Sequence, residues 1–173
     1  MQRDIQMARK LGVDGVVFGC LTADGQVDKA KTKQLIEAAQ GLSATFHRAF
    51  DVCDNPYSAL EDLIELGVNR ILTSGQQPTA QQGLPLIKEL IRKANNRIII
   101  LPGSGINENN IRQIAMESGA KEFHFYAREN RNSNMVYRST QVPMNSPGMP
   151  DEYIQSVTTA QRVQETIKAL NEL

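Results

Sequence analysis

The segment Thr45-Phe46-His47-Arg48-Ala49-Phe50-Asp51 puts an imidazole, a guanidinium and a carboxylate within five positions. Together these groups can supply a proton shuttle, an anion clamp and an orienting carboxylate. Strand alternation places Thr45 and His47 on one face and Phe46 on the other. Phe46 is then expected beneath a helix, with His47 near an open rim and Arg48 and Asp51 just beyond the strand. The plainer reading is an Arg48–Asp51 ion pair beside a His47 that satisfies a backbone group. Three such residues so close together favour function.

Other strand ends carry related chemistry. Thr73-Ser74-Gly75 offers two hydroxyls and a flexible backbone to a polar ligand. Pro102-Gly103-Ser104-Gly105-Ile106-Asn107 leads into a helix start, where glycines admit close approach and a helix N-terminus favours an anion. Thr73, Ser74, Gly75, Gly103, Ser104 and Gly105 are therefore candidates for an anion site, and a tight turn that needs glycine is the alternative. Glu122 and His124 alternate with Phe123 and Phe125 and should face inward together. They read equally as an acid–base or metal-binding pair and as a buried ion pair. Cys20 and Cys53 each follow a strand and could reach the same rim, where thiolates would suit Cu(I). Their spacing is not that of a zinc knuckle or a CxxC pair, and inert packing thiols are the alternative.

Short β-branched runs alternate with amphipathic helical stretches to position these groups. Strands are expected over 14–18, 43–48, 69–73, 97–101 and 121–125. A helix opens the chain and ends at Gly12; others run from the N-cap Asp28 to Gln40, from Asn55-Pro56 to Gly67 and over 80–94. Gly83-Leu84-Pro85 could delay the start of the last of these by a turn. Asn107 is expected to cap a helix to Ser118, and a final helix to run over 158–170. Residues 128–150, polar and bearing Pro143, Pro147 and Pro150, read as a long loop within one domain spanning 1–173. Strands joined by crossover helices lie parallel, in an open doubly wound sheet or a barrel. Polar residues at all five strand ends point to a barrel, which gathers its loops on one face. Five of eight strands make it incomplete.

With 19 basic and 19 acidic side chains the formal charge is zero, which argues against nucleic acid or an anionic membrane as partner. No apolar run approaches the roughly 18 residues needed to span a bilayer. The start Met1-Gln2-Arg3-Asp4 leads into no apolar signal core, so a cytoplasmic protein with reduced thiols is expected.

Asp14-Gly15-Val16-Val17-Phe18-Gly19, Thr45 to Asp51, Arg70-Ile71-Leu72-Thr73-Ser74-Gly75 and Glu122-Phe123-His124 resemble the CutC copper homeostasis family. The match in order and spacing runs from about residue 3 to Phe125 and continues more loosely to the final helix. The resemblance implies a TIM-like (β/α) barrel, a cytoplasmic location and a role in copper handling. It also implies that three strands preceding the first one here are absent, with any copper ligands they carry. Cys20 stands where the family often has another small residue, Phe125-Tyr126 precede Ala127-Arg128 in place of smaller residues, and Gly103-Ser104-Gly105 replaces a commoner triple glycine.

The expected function is copper homeostasis through copper binding by Cys20 and Cys53, with histidine assistance and no organic cofactor. The alternative is an enzyme acting on a phosphorylated or carboxylated small molecule at the barrel mouth, with His47, Arg48, Asp51, Glu122 and His124 as catalytic candidates. A chain that self-associates, completing its barrel as a homo-oligomer, is a further expectation.

Overall fold

The computed structural model describes residues 1–139, 141–142, 144–145 and 151–171. Helix α1 (Gln2–Lys10) leads into β1 (Gly15–Phe18), followed by α2 (Lys29–Ala38), β2 (Ser43–Phe46), α3 (Pro56–Glu65), β3 (Arg70–Thr73), α4 (Leu84–Ala94), β4 (Ile99–Pro102) and α5 (Ile111–Ser118). A 3-10 turn, Arg48–Val52, separates β2 from α3. The chain ends with β5 (Arg128–Asn132), β6 (Ile154–Thr158) and α6 (Ala160–Asn171).

The first four strands form one parallel sheet in the order β1-β2-β3-β4. Each new strand joins the same edge, so right-handed crossovers put every helix on one face of the sheet. A doubly wound sheet would reverse direction and cover both faces. The observed order is that of a barrel arc, an α/β fold of incomplete barrel type. Among the described residues, no helix is long and apolar enough to cross a membrane.

Alternation divides the strands, as expected for Phe46. Phe46, Ile71 and Ile100 point to the helix side and are buried against Leu60, Leu63, Ile87 and Leu90. Each such side chain contributes about 1.5–3 kcal/mol by leaving water. A second apolar cluster, of Ile5, Phe18, Leu35, Ala39 and Ala44, lies under α1 and α2. The opposite face carries Val17, Thr45, Arg70 and Ile99 in register across all four strands. Val17 is 63% exposed there and Ile99 37%. The apolar run of β4 is thus covered on one side only.

Helices α2 and α3 start at side-chain caps. Asp28 accepts from the Lys31 amide, and Asn55 from the amides of Tyr57 and Ser58, with Pro56 in the first turn. The delay expected from Gly83-Leu84-Pro85 is seen, since α4 begins at Leu84. Helix α5 begins at Ile111, later than expected, because Asn107 and Asn110 close a turn of their own. The Asn107 amide donates to Asn110 Oδ1 (2.9 Å) and the Asn109 amide to Asn107 Oδ1 (2.9 Å).

Two other expectations change. Residues 121–125 run parallel to β4 but join it at a single bridge, Gly103 to His124, and form no full ladder. The His124 amide donates to the Pro102 carbonyl (2.9 Å), while the Glu122 side chain is drawn towards Arg70. The long loop expected over 128–150 is partly sheet, because β5 pairs antiparallel with β6. Polar strands such as Arg128–Asn132 lack the apolar alternation that marks a half-buried strand, so composition alone reads them as loop. Pro143, Pro147 and Pro150 lie outside the described residues.

Candidate functional site

The C-terminal ends of β1 to β4 and the bridge at His124 converge on one end of the sheet. Asp51 is the centre of the hydrogen bonding there. Its carboxylate accepts from Arg48 Nε (2.7 Å), Thr73 Oγ1 (2.5 Å), the Ser74 amide (3.0 Å) and the Gln76 amide (3.2 Å). Burial alone would raise this carboxyl. The hydrogen bonds from Thr73, Arg48 and the two amides outweigh it and hold the group below the usual carboxylate range.

Arg48 is the exposed member of the group. Its Nη2 donates to Ser74 Oγ (2.8 Å), and Ser74 Oγ in turn donates to the Gln77 carbonyl (2.5 Å). Nη1 has no hydrogen-bond partner among the described residues. Thr73 and Ser74 are fully buried, and both hydroxyls are taken up by the protein. Gly75 and Gly83 cross so closely that a Cβ on Gly83 would stand 1.9 Å from the Ser74 carbonyl oxygen. Glycine there serves the packing of one loop on itself.

His47 caps the 3-10 turn, its Nδ1 accepting from the Ala49 amide (3.1 Å). The neutral ring therefore carries its proton on Nε2. A side chain at Gly19 would meet this ring at 2.6 Å, so the glycine lets the imidazole lie against the end of β1. His124 stacks edge-on against Tyr126 at 5.2 Å, and its ring nitrogens have no hydrogen-bond partner among the described residues.

Glu122 does not join His124 in an acid–base pair. It forms a two-pronged ion pair with Arg70 (Nε to Oε2 2.6 Å, Nη2 to Oε1 3.1 Å), and Arg70 Nη1 donates to Ser43 Oγ (2.7 Å). Arg70, absent from the candidate set, is detectable in sequence as the one cation sharing a strand face with Leu72. Gln76, which ties the Asp51 carboxylate to the Cys53 carbonyl (Nε2 to O 2.8 Å), has no sequence signal. At the glycine turn, Ser104 Oγ donates to the Pro78 carbonyl (2.9 Å), which joins this turn to the loop after β3. Asparagine side chains occupy the approach to α5, where an anion was expected.

The two thiols belong to different environments. Cys53 is buried in the larger core cluster, and burial, with the Asp54 carboxylate adding to it, pushes its thiol up to about 11. Cys20 is partly exposed and packs on the smaller cluster, in a groove shared with Met1, Lys31 and Gln34. No group of three or more His, Cys, Asp or Glu side chains converges as a metal cage among the described residues.

The sequence profile of the CutC family matches residues 1–129, the stretch that holds all four parallel strands and the His124 bridge. The chain belongs to the CutC family. A family protein CutC of Bacteroides thetaiotaomicron is 58% identical over 170 residues, which cover 98% of this chain and 68% of the relative. The human copper homeostasis protein cutC homolog is 45% identical, with 98% and 62% covered. A crystal structure of a CutC protein from Streptococcus agalactiae superposes with a TM-score of 0.68 at 36% identity, covering 71% of this chain and 60% of that one. The chain thus spans between 60% and 68% of the length of these CutC relatives.

Proposed function

We propose that this chain serves copper homeostasis in the cytoplasm and that it takes up Cu(I) through the Cys20 thiol. Membership of the CutC family, with relatives named as copper homeostasis proteins, carries the reading. The donor set agrees with a soft ion, since Cys20 and Met1 line one groove. Cys53 contributes to the core instead, its buried thiol remaining protonated at neutral pH. Competition against a chromogenic Cu(I) chelator tests this. Cys20→Ser should weaken binding at least tenfold and Cys53→Ser should leave it unchanged. Equal affinity of Cys20→Ser and the parent would remove Cys20 from the site.

A second reading, an enzyme acting on a phosphorylated or carboxylated small molecule, is supported by Arg48. Its guanidinium keeps Nη1 open at the mouth, next to a His47 of fixed tautomer. Under this reading millimolar phosphate raises the Tm of the parent but not of Arg48→Ala. Protection that survives the substitution counts against it.

A further inference from the structure

Two bonds fix the guanidinium of Arg48, and both acceptors lie in the interior. Nε donates to Asp51 Oδ2 (2.7 Å) and Nη2 to Ser74 Oγ (2.8 Å), and these two acceptors lie 3.0 Å apart. The Asp51 side chain is 5% exposed and Ser74 is fully buried, whereas the Arg48 side chain is 45% exposed. The acceptors are themselves held. Both Asp51 oxygens accept from the Ser74 amide (3.0 Å each), and Oδ1 also takes the Thr73 hydroxyl and the Gln76 amide. The Gln76 side chain in turn reaches back to the Cys53 carbonyl. An exposed cation ordinarily pairs with a partner as mobile as itself. Here the water-exposed charge is mounted on a buried carboxylate that the fold already holds.

The mounting uses one edge of the guanidinium. Nε and one Nη2 hydrogen face Asp51 and Ser74, which leaves Nη1 and the second Nη2 hydrogen without a partner among the described residues. These parallel donors form the end of the group, and they match two oxygens of one carboxylate or phosphate. We infer that the mouth takes an oxyanion end-on at Arg48, and that Asp51 and Ser74 are the positioning residues that prepare it. The inference rests on the reading of the mouth as a site for a phosphorylated or carboxylated small molecule. A free arginine gives up rotamer freedom when it binds, whereas Arg48 has lost that freedom on folding. Arg48 and Asp51 together carry no net charge, so donor geometry rather than attraction at a distance supplies the affinity. A single-atom anion such as chloride cannot satisfy both donors in this way. The Ser74 hydroxyl acts through Arg48 and does not touch the ligand.

Melting temperatures of the whole chain, measured against rising phosphate, acetate or chloride at constant ionic strength, give apparent dissociation constants and test the inference. Phosphate or acetate should protect the parent where chloride does not, and Arg48→Ala should lose the effect. The tighter of the two oxyanions assigns the ligand group as phosphate or carboxylate. Ser74→Ala and Arg48→Lys both keep the charge of the mouth. Each should weaken binding roughly threefold to tenfold, the cost of ordering one flexible side chain at the moment of binding. Arg48→Lys changes an exposed side chain and carries the test alone if Ser74→Ala does not fold. Asn69→Ala removes the bond from the Ala44 amide at the opposite end of β3, and should lower the melting temperature with anion affinity unchanged. That control separates positioning from stability. Full affinity in either Ser74→Ala or Arg48→Lys, with Arg48→Ala inactive, would overturn the inference and leave the anion reading standing. A parent that neither oxyanion protects more than chloride does would remove both.

Discussion

Asp51 joins two loops that sequence places more than twenty residues apart. Its donors come from Arg48 on one side and from Thr73, Ser74 and Gln76 on the other. Because its folded pKa is depressed, it contributes stability that is fully present above the unfolded value of about 3.9 and lost as pH falls through the folded value. Acid unfolding of the parent should therefore steepen below about pH 4, and Asp51→Ala should flatten that part of the profile. At neutral pH the same substitution strands buried donors and should cost about 2–4 kcal/mol by urea denaturation. Gly19 is the second position at this scale. Gly19→Ala would force its Cβ against the His47 ring, and a loss of about 1–3 kcal/mol is expected, with displaced His47 ring resonances in NMR spectra.

At the scale of elements, capping residues and apolar spacing act locally and are visible in the chain. Asn55-Pro56 starts α3 where expected, because one side-chain oxygen satisfies two free amides and proline needs none. Asn55→Ala should lower stability by about 1 kcal/mol, read as a shift of the urea midpoint without a change in its slope. The elements that departed from expectation depend on neighbours. The 121–125 run has strand composition but meets β4 only at His124, and Arg128–Asn132 has loop composition but gains a ladder from residues 154–158. Backbone pairing satisfies polar groups whatever the side chains are, so composition cannot report it.

At the scale of the whole molecule, each strand-plus-helix repeat takes about 28 residues, so an eight-fold barrel of them exceeds 173 residues and approaches the roughly 250 typical of the fold. The chain holds one arc of such a barrel, and the Arg70–Glu122 pair crosses its inner face. Both partners are partly exposed, which keeps their coupling near 1 kcal/mol in a double-mutant cycle.

The sequence by itself determined the starts of α2 and α3, the helix-facing side chain of β2, the parallel connection of successive units and the family. All of these follow from local spacing, capping and motif order. It also singled out His47, Arg48 and Asp51 as one group, with Thr73 and Ser74 apart from them as candidates for an anion site. Only the tertiary structure decided what each of them does. Asp51, Thr73 and Ser74 tie loops together, Glu122 belongs with Arg70 rather than His124, and Cys20 and Cys53 enter separate clusters. Partner choice among polar groups depends on distances of a few ångströms between segments far apart in the chain. Residue type and spacing along one strand carry no information about such distances.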